Sequence, residues 1–257
     1  DAELSNTDKG YVMRNLLIAT AASAVALQAQ IPVANAADDC CLRIAPYAWV
    51  AGVDGQIKAR GEDIDFNLDF SDIVDKVEFG GAVLVDLNKG HWVSYLDLSY
   101  ADLGADASTA RGSKVDVSIS APFVTLATGW RFDISEHSTV DVLAGVRYLG
   151  IETEVEEKNV RTTHSEANNY DTLLVLRPRV PLSKHWHLDT TLSAGAGDSD
   201  LVWEAYPQLI YECCGWDFRV GYRSMNYEWE SGNGDEFEMS FQGPVVGPGR
   251  MTVDTSK

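Results

Sequence analysis

The chain has 257 residues, with 39 acidic against 20 basic side chains and a formal charge of −19. That acidity excludes a nucleic-acid partner, whose phosphates need a basic surface, and a hydrophobic content of 45% excludes disorder driven by charge. Twenty-one Gly, ten Tyr and seven Trp favour β structure, while the cysteine pairs Cys40-Cys41 and Cys213-Cys214 lack the CxxC spacing of zinc sites.

Residues 1–12 are polar, carry no periodicity and receive no role. Residues 13–36 read as a secretory signal peptide. Met13-Arg14-Asn15 is a short positive start, 16–27 is an apolar run, and Ala34-Asn35-Ala36 supplies the small-x-small pattern for cleavage after Ala36. A spanning helix fits less well, because Gln28, Gln30 and Pro32 interrupt the run before the roughly 18 apolar residues that a bilayer requires. Three acids and two bases leave with residues 1–36, so the mature chain keeps a net charge of −18. Export does not alter its acidity.

From 37 to 250 the pattern is that of strands with two different environments, and a single β-barrel domain is expected, followed by a polar tail at 251–257. In 186–196, Trp186, Leu188, Thr190, Leu192, Ala194 and Ala196 alternate with His187, Asp189, Thr191, Ser193 and Gly195. Val140, Val142, Ala144, Val146 and Tyr148 behave alike, as do Trp216, Phe218, Val220 and Tyr222. Ten strands are expected, near 42–59, 77–87, 91–103, 114–132, 139–152, 170–182, 185–196, 201–213, 215–229 and 236–250; eight is the alternative. A bulge is expected at Ala121-Pro122, where the apolar parity changes.

Short turns (88–90, 133–138, 182–185 and 214–215) alternate with longer polar loops near 61–77, 104–113, 153–169 and 231–235, with a shorter one at 197–200. That asymmetry belongs to bacterial outer-membrane barrels, with their short periplasmic turns. Trp92, Trp130, Trp186 and Trp216 stand beside short turns, and Trp203 and Trp229 at the opposite strand ends, so these six are expected to form membrane-interface girdles. The fold class is therefore all-β, an antiparallel up-and-down transmembrane barrel. A soluble periplasmic β-sandwich binding protein is the alternative.

Several stations resemble a family of small Gram-negative outer-membrane β-barrel proteins, broadly akin to OmpA- and OmpW-like barrels. They are Pro46-Tyr47-Ala48-Trp49 with Gly52 and Gly55, Phe70-Ser71-Asp72-Ile73-Val74, and Gly90-His91-Trp92 with Asp97-Leu98-Ser99-Tyr100. Gly145-Val146-Arg147-Tyr148, Gly221-Tyr222-Arg223 and Gln242-Gly243-Pro244-Val245-Val246-Gly247 complete the series over about 43–250. The resemblance implies an outer-membrane location, assembly by the barrel-assembly machinery, and contact with outer-membrane lipid and lipopolysaccharide. One departure is the C-terminal end. Such chains usually finish on an aromatic residue, whereas Arg250-Met251-Thr252-Val253 leads here to a polar tail.

With apolar faces toward lipid, the opposite faces fill the barrel. The expected lumen-lining set is Asp97, Arg131, Asp141, Arg147, Arg177, Arg179, Asp189, Glu204, Asp217, Arg219, Arg223 and Glu238. A narrow barrel of eight to ten strands is filled by side chains, and buried charges need partners. The expected function is a structural or small-solute, porin-like role with the lumen plugged by Arg–carboxylate pairs. A narrow selective channel lined by Arg179, Arg219 and Arg223 is the alternative. A lipid-modifying enzyme is a further one, but His164-Ser165-Glu166 are sequence neighbours in an expected polar loop, and triads converge in space.

No catalytic residue, cofactor or metal site is assigned. The sequence shows no metal-ligand spacing of the HExxH kind. Phe70, Ile73, Val74 and Val77 have the spacing of a short amphipathic helix. In an oxidising compartment a disulfide linking the two cysteine pairs is chemically permitted. Acidic loops at 61–69, 152–157 and 228–238 are candidates for divalent cations that bridge to lipopolysaccharide phosphates.

Overall fold

The computed structural model describes residues 40–59, 62–68, 81–108, 114–157, 161–230 and 236–253. The expected signal peptide at 13–36, the segment before it and the expected amphipathic helix at 70–77 lie outside the described residues. The chain forms β1 (Cys40–Trp49), β2 (Gly52–Ala59), β3 (Glu62–Leu68), β4 (Gly81–Lys89), β5 (Trp92–Ser108), β6 (Lys114–Asp133), β7 (Thr139–Glu157), β8 (Arg161–Pro181), β9 (Trp186–Gly197), β10 (Leu201–Cys213), β11 (Trp216–Glu230) and β12 (Glu236–Val253). From β4 to β12 each strand pairs antiparallel with the next, and β1 pairs with β4 on one side and β12 on the other.

That last contact closes the barrel. Strands β1 and β2 share one register along β12, from Trp49↔Val245 to Gly52↔Gln242, and so form a single stave. On their other side β4 pairs with β1 and β3 with β2, so β3 and β4 line up as a second stave. Twelve strands thus make ten staves, and the eight-stranded count is excluded. At the seam Gly243 lies directly against the Val50 carbonyl, where a Cβ has no room. The Val50 amide donates to the Pro244 carbonyl at 3.1 Å.

Two local expectations are corrected. The β5–β6 register is constant from Trp92↔Trp130 to Ser108↔Lys114, so Ala121-Pro122 is not a bulge. The ladder to β7 instead skips these two residues, between Ser120↔Glu152 and Phe123↔Leu149, which suits a proline without an N–H. The long loops are also shorter than expected. Strand β3 occupies 62–68, β5 and β6 pair as far as Ser108↔Lys114, and β7 and β8 as far as Glu157↔Arg161. The polar sequence of these hairpins lacks the alternation that marks the rest of the barrel.

Candidate functional site: the charged lumen

Period-two alternation fixes what fills the barrel. Along β9, His187, Asp189, Thr191 and Ser193 are buried, whereas Trp186, Leu188 and Leu192 are exposed. Strands β10 and β11 repeat this with Glu204, Tyr206, Gln208 and Ile210, and with Asp217, Arg219, Arg223, Met225 and Tyr227. The lumen is stratified. Charged groups occupy the half near the short turns and the middle. Toward the long hairpins Trp49, Phe123, Phe241 and Tyr227 pack edge to face, with Trp49 on Phe123 at 5.6 Å and Phe123 on Phe241 at 5.0 Å.

Arg223 is the hub of the middle layer and is fully buried. Its Nε donates to Glu204 Oε1 at 2.7 Å, its Nη2 lies 3.2 Å from Asp97 Oδ2, and its Nη1 donates to the Tyr47 hydroxyl at 2.6 Å. The Tyr47 hydroxyl in turn donates to both Asp97 oxygens, at 2.8 and 3.0 Å. The guanidinium also lies over the Trp49 ring, 4.9 Å from its centroid. On the far side of Glu204, Arg147 donates to Oε2, and it also donates to Thr125 Oγ1 at 2.9 Å. Two arginines and two carboxylates balance, which is the condition for keeping such groups away from water.

Near the short turns a second layer holds five arginines and four aspartates. Arg131 makes a two-pronged contact with Asp141 at 2.6 and 2.9 Å, and Arg179 does the same with Asp189. Arg177 donates to Asp86 at 2.7 Å, while Arg219 and Arg43 share Asp217 at 2.8 and 3.1 Å. His187 meets Glu212 at 3.2 Å at the edge of this layer. Between Arg43, Arg131, Arg177, Arg179, Asp189 and Gln208 lies a recess of about 20 Å³, room for a single water molecule. Asp171 is also buried, accepting from the Ser199 amide and hydroxyl at 2.9 and 3.0 Å. Among the described residues, seven arginines and seven carboxylates, Asp171 included, face one another inside the barrel.

Eleven of the twelve residues expected in the lumen are placed there; Glu238 is not. On β12 the odd positions Phe241 and Val245 point inward, which leaves Glu238 exposed on the outer face opposite Glu228. Trp92, Trp130, Trp186, Trp203 and Trp216 are 38–47% exposed on the outer wall. Trp229 is the second correction. It shares the inward parity of Tyr227, stacks on that ring at 5.6 Å and packs on the interior cluster.

Arg43, Asp86 and Tyr47 join the lumen beyond the expected set, and Asp171, opposite the apolar positions of 170–182, lies inside as its parity requires. The first two each interrupt an apolar run, Leu42-Arg43-Ile44 and Val85-Asp86-Leu87, and that interruption was the available signal. Cys41, Cys213 and Cys214 are free. Strands β11 and β12 separate Cys41 from Cys213, a gap on the order of 14 Å at the usual strand spacing. A disulfide between the two pairs is beyond reach. Among the described residues no three His, Cys, Asp or Glu side chains converge as metal ligands would.

The outer wall completes the picture. Val146, Leu174, Phe218, Val220 and Val246 are each more than half exposed, a continuous apolar band of a kind that water-soluble monomers do not carry. No protein-family model and no curated protein sequence matches the chain. Among solved structures it is similar to the outer membrane protease OmpT of Escherichia coli, with a TM-score of 0.51 at 9% identity, covering 86% of this chain and 99% of that one. The chain has the fold of an outer-membrane β-barrel. Also similar are the attachment invasion locus protein Ail of Yersinia pestis (TM-score 0.39, 10% identity, 84% of this chain and 99% of that one) and Neisserial surface protein A (0.34, 9%, 81% and 96%). With OmpT the likeness is one of fold, and the barrel's function has to be argued from its own side chains.

Proposed function

We propose that the barrel is a structural, non-enzymatic element of the bacterial outer membrane, its lumen plugged by paired arginines and carboxylates and its short turns facing the periplasm. The observation that carries this reading is the Arg223–Glu204–Arg147–Asp97 cluster, whose members are all buried and mutually neutralised. An open path through this layer would separate charges that neutralise one another, and the nearby recess has room for only one water. The aromatic layer above adds an apolar barrier to ions. Purified barrel in planar bilayers should give no conductance steps. Steady conductance whose ion selectivity changes in Arg179→Ala or Arg223→Ala would replace this reading with the narrow channel.

The lipid-hydrolase reading finds no support. His164, Ser165 and Glu166 are successive positions of β8, opposite Glu154, Thr153 and Glu152 of β7, rather than loop residues. Successive strand positions alternate between faces and so do not converge as a triad must. Assembly would proceed through the barrel-assembly machinery, as for other barrels of this location.

A second role concerns the hairpins on the long side. The register sets Asp106 opposite Asp116, Glu152 opposite Glu166, Glu228 opposite Glu238 and Glu230 opposite Glu236. Like charges directly across a ladder are destabilising. Divalent cations shared with lipopolysaccharide phosphates would relieve the repulsion. Calcium should then raise the unfolding temperature in lipopolysaccharide-containing bilayers; an unchanged value there removes the cation role and leaves the plug intact.

A further inference from the structure

The β10–β11 connection is a two-residue turn, Cys214-Gly215, flanked by the pair Cys213↔Trp216. Both turn residues have positive φ, +58° at Cys214 and +78° at Gly215, the conformation of a type I′ hairpin turn. Asn, Asp and Gly fill the first position of such a turn without strain. Cys214 is the one residue other than glycine with positive φ among the described residues. That turn brings the Cys214 thiol onto the Cys213 thiol, with the sulfurs 2.7 Å apart at the water-exposed rim. Cys41 lies three strands away, so each sulfur of the turn has the other as its thiol neighbour.

We propose that Cys213 and Cys214 form a vicinal dithiol–disulfide couple that exchanges electrons with small disulfides at the short-turn rim. Adjacent Cα atoms lie about 3.8 Å apart across a trans peptide, closer than the usual span across a disulfide of about 4.4–6.8 Å. A bond closed between neighbours is therefore strained, and strained exposed disulfides are the reducible, exchanging kind rather than structural staples. The couple is thus a reactive site and not a brace for the barrel.

Cys214 is exposed and Cys213 half-buried, so an incoming disulfide meets Cys214 first. Cys213, set behind it, is left for the second step. The Cys214 thiolate attacks one sulfur of R–S–S–R; that S–S bond breaks and R–S⁻ leaves, taking up a proton from water. Cys213 then loses its proton to solvent and attacks the Cys214 sulfur of the mixed disulfide. The Cys213–Cys214 bond forms and the second R–S⁻ departs. Two protein thiols are oxidised by two electrons, and one small disulfide is reduced to two thiols.

The test uses the full reduced barrel, incubated with oxidised glutathione, blocked with N-ethylmaleimide and digested with trypsin. Peptide 185–219 contains both turn cysteines and no other. It should emerge unalkylated and two hydrogens lighter than the dithiol, and Cys213→Ser should accumulate a glutathione adduct on Cys214. A doubly alkylated peptide, a lasting glutathione adduct on the unmutated chain, or a cross-link to the peptide carrying Cys40 and Cys41 would each overturn the proposal. Bilayer conductance does not enter this test, so it stands or falls apart from the plugged-lumen reading.

Discussion

Replacing Arg223 by Met tests the charge balance of the lumen. The side chain is fully buried and serves Glu204, Asp97 and the Tyr47 hydroxyl together. When it is lost, Glu204 keeps Arg147, but Asp97 keeps only the Tyr47 hydroxyl, a neutral donor. The uncompensated charge is therefore Asp97, and stranding a buried charge costs about 3–5 kcal/mol. Adding Asp97→Asn to Arg223→Met removes that charge and leaves Arg147 and Glu204 as a neutral pair, while the new amide can still accept from Tyr47. The double variant should lose only hydrogen bonds and the contact over Trp49, about 1–2 kcal/mol. A coupling of about 1–4 kcal/mol, increased by whatever Asp97→Asn costs alone, is thus expected from reversible guanidinium unfolding in lipid vesicles, followed by tryptophan fluorescence. If Arg223→Met alone costs under about 1 kcal/mol, or if the two changes simply add, the lumen charges are hydrated and the plug argument fails.

Four further outcomes concern the wall and the seam. In bilayers of brominated lipid, Trp130→Phe should remove quenchable fluorescence, whereas Trp229→Phe should remove only the unquenched part. Leu126→Arg, on the lipid-facing side of β6, should cost about 2–4 kcal/mol in vesicle unfolding. Glu238→Ala on the outer face should stay within about 0.5 kcal/mol by the same measure. Gly243→Ala should lower the temperature at which the barrel loses its compact migration on a gel, because its methyl meets the Val50 carbonyl; unchanged migration would mean that the seam is looser than described.

Much of the barrel was legible because lipid and lumen impose opposite chemistry on alternate residues. In 186–196 and 216–222 each apolar residue faces outward, as the pattern required. Two positions depart from the expected faces where that contrast fades. The strand-end position of Trp229 suggests an interface residue, whereas the outward parity set by 216, 218, 220 and 222 is even and turns Trp229 inward. Strand β12 carries Gly243, Pro244, Gly247, Pro248 and Gly249, so its parity was faint and Glu238 was placed on the wrong face. Pairing distances were beyond the sequence altogether. That Asp97 answers to Tyr47 and Arg223, 50 and 126 positions away, follows from barrel closure and from no local pattern.

Closure also has a temporal side. The pairing of Cys41–Trp49 with Val245–Val253 joins the first stave to the last, across some 200 residues of intervening chain. Contacts so distant in sequence form late, since every loop between them must be ordered first. Until β12 docks, β1 and β11 each present an open row of amides and carbonyls, the surface on which strands of different molecules join. The final stave is the latch of the molecule. A chain halted before it has two adhesive edges instead of none.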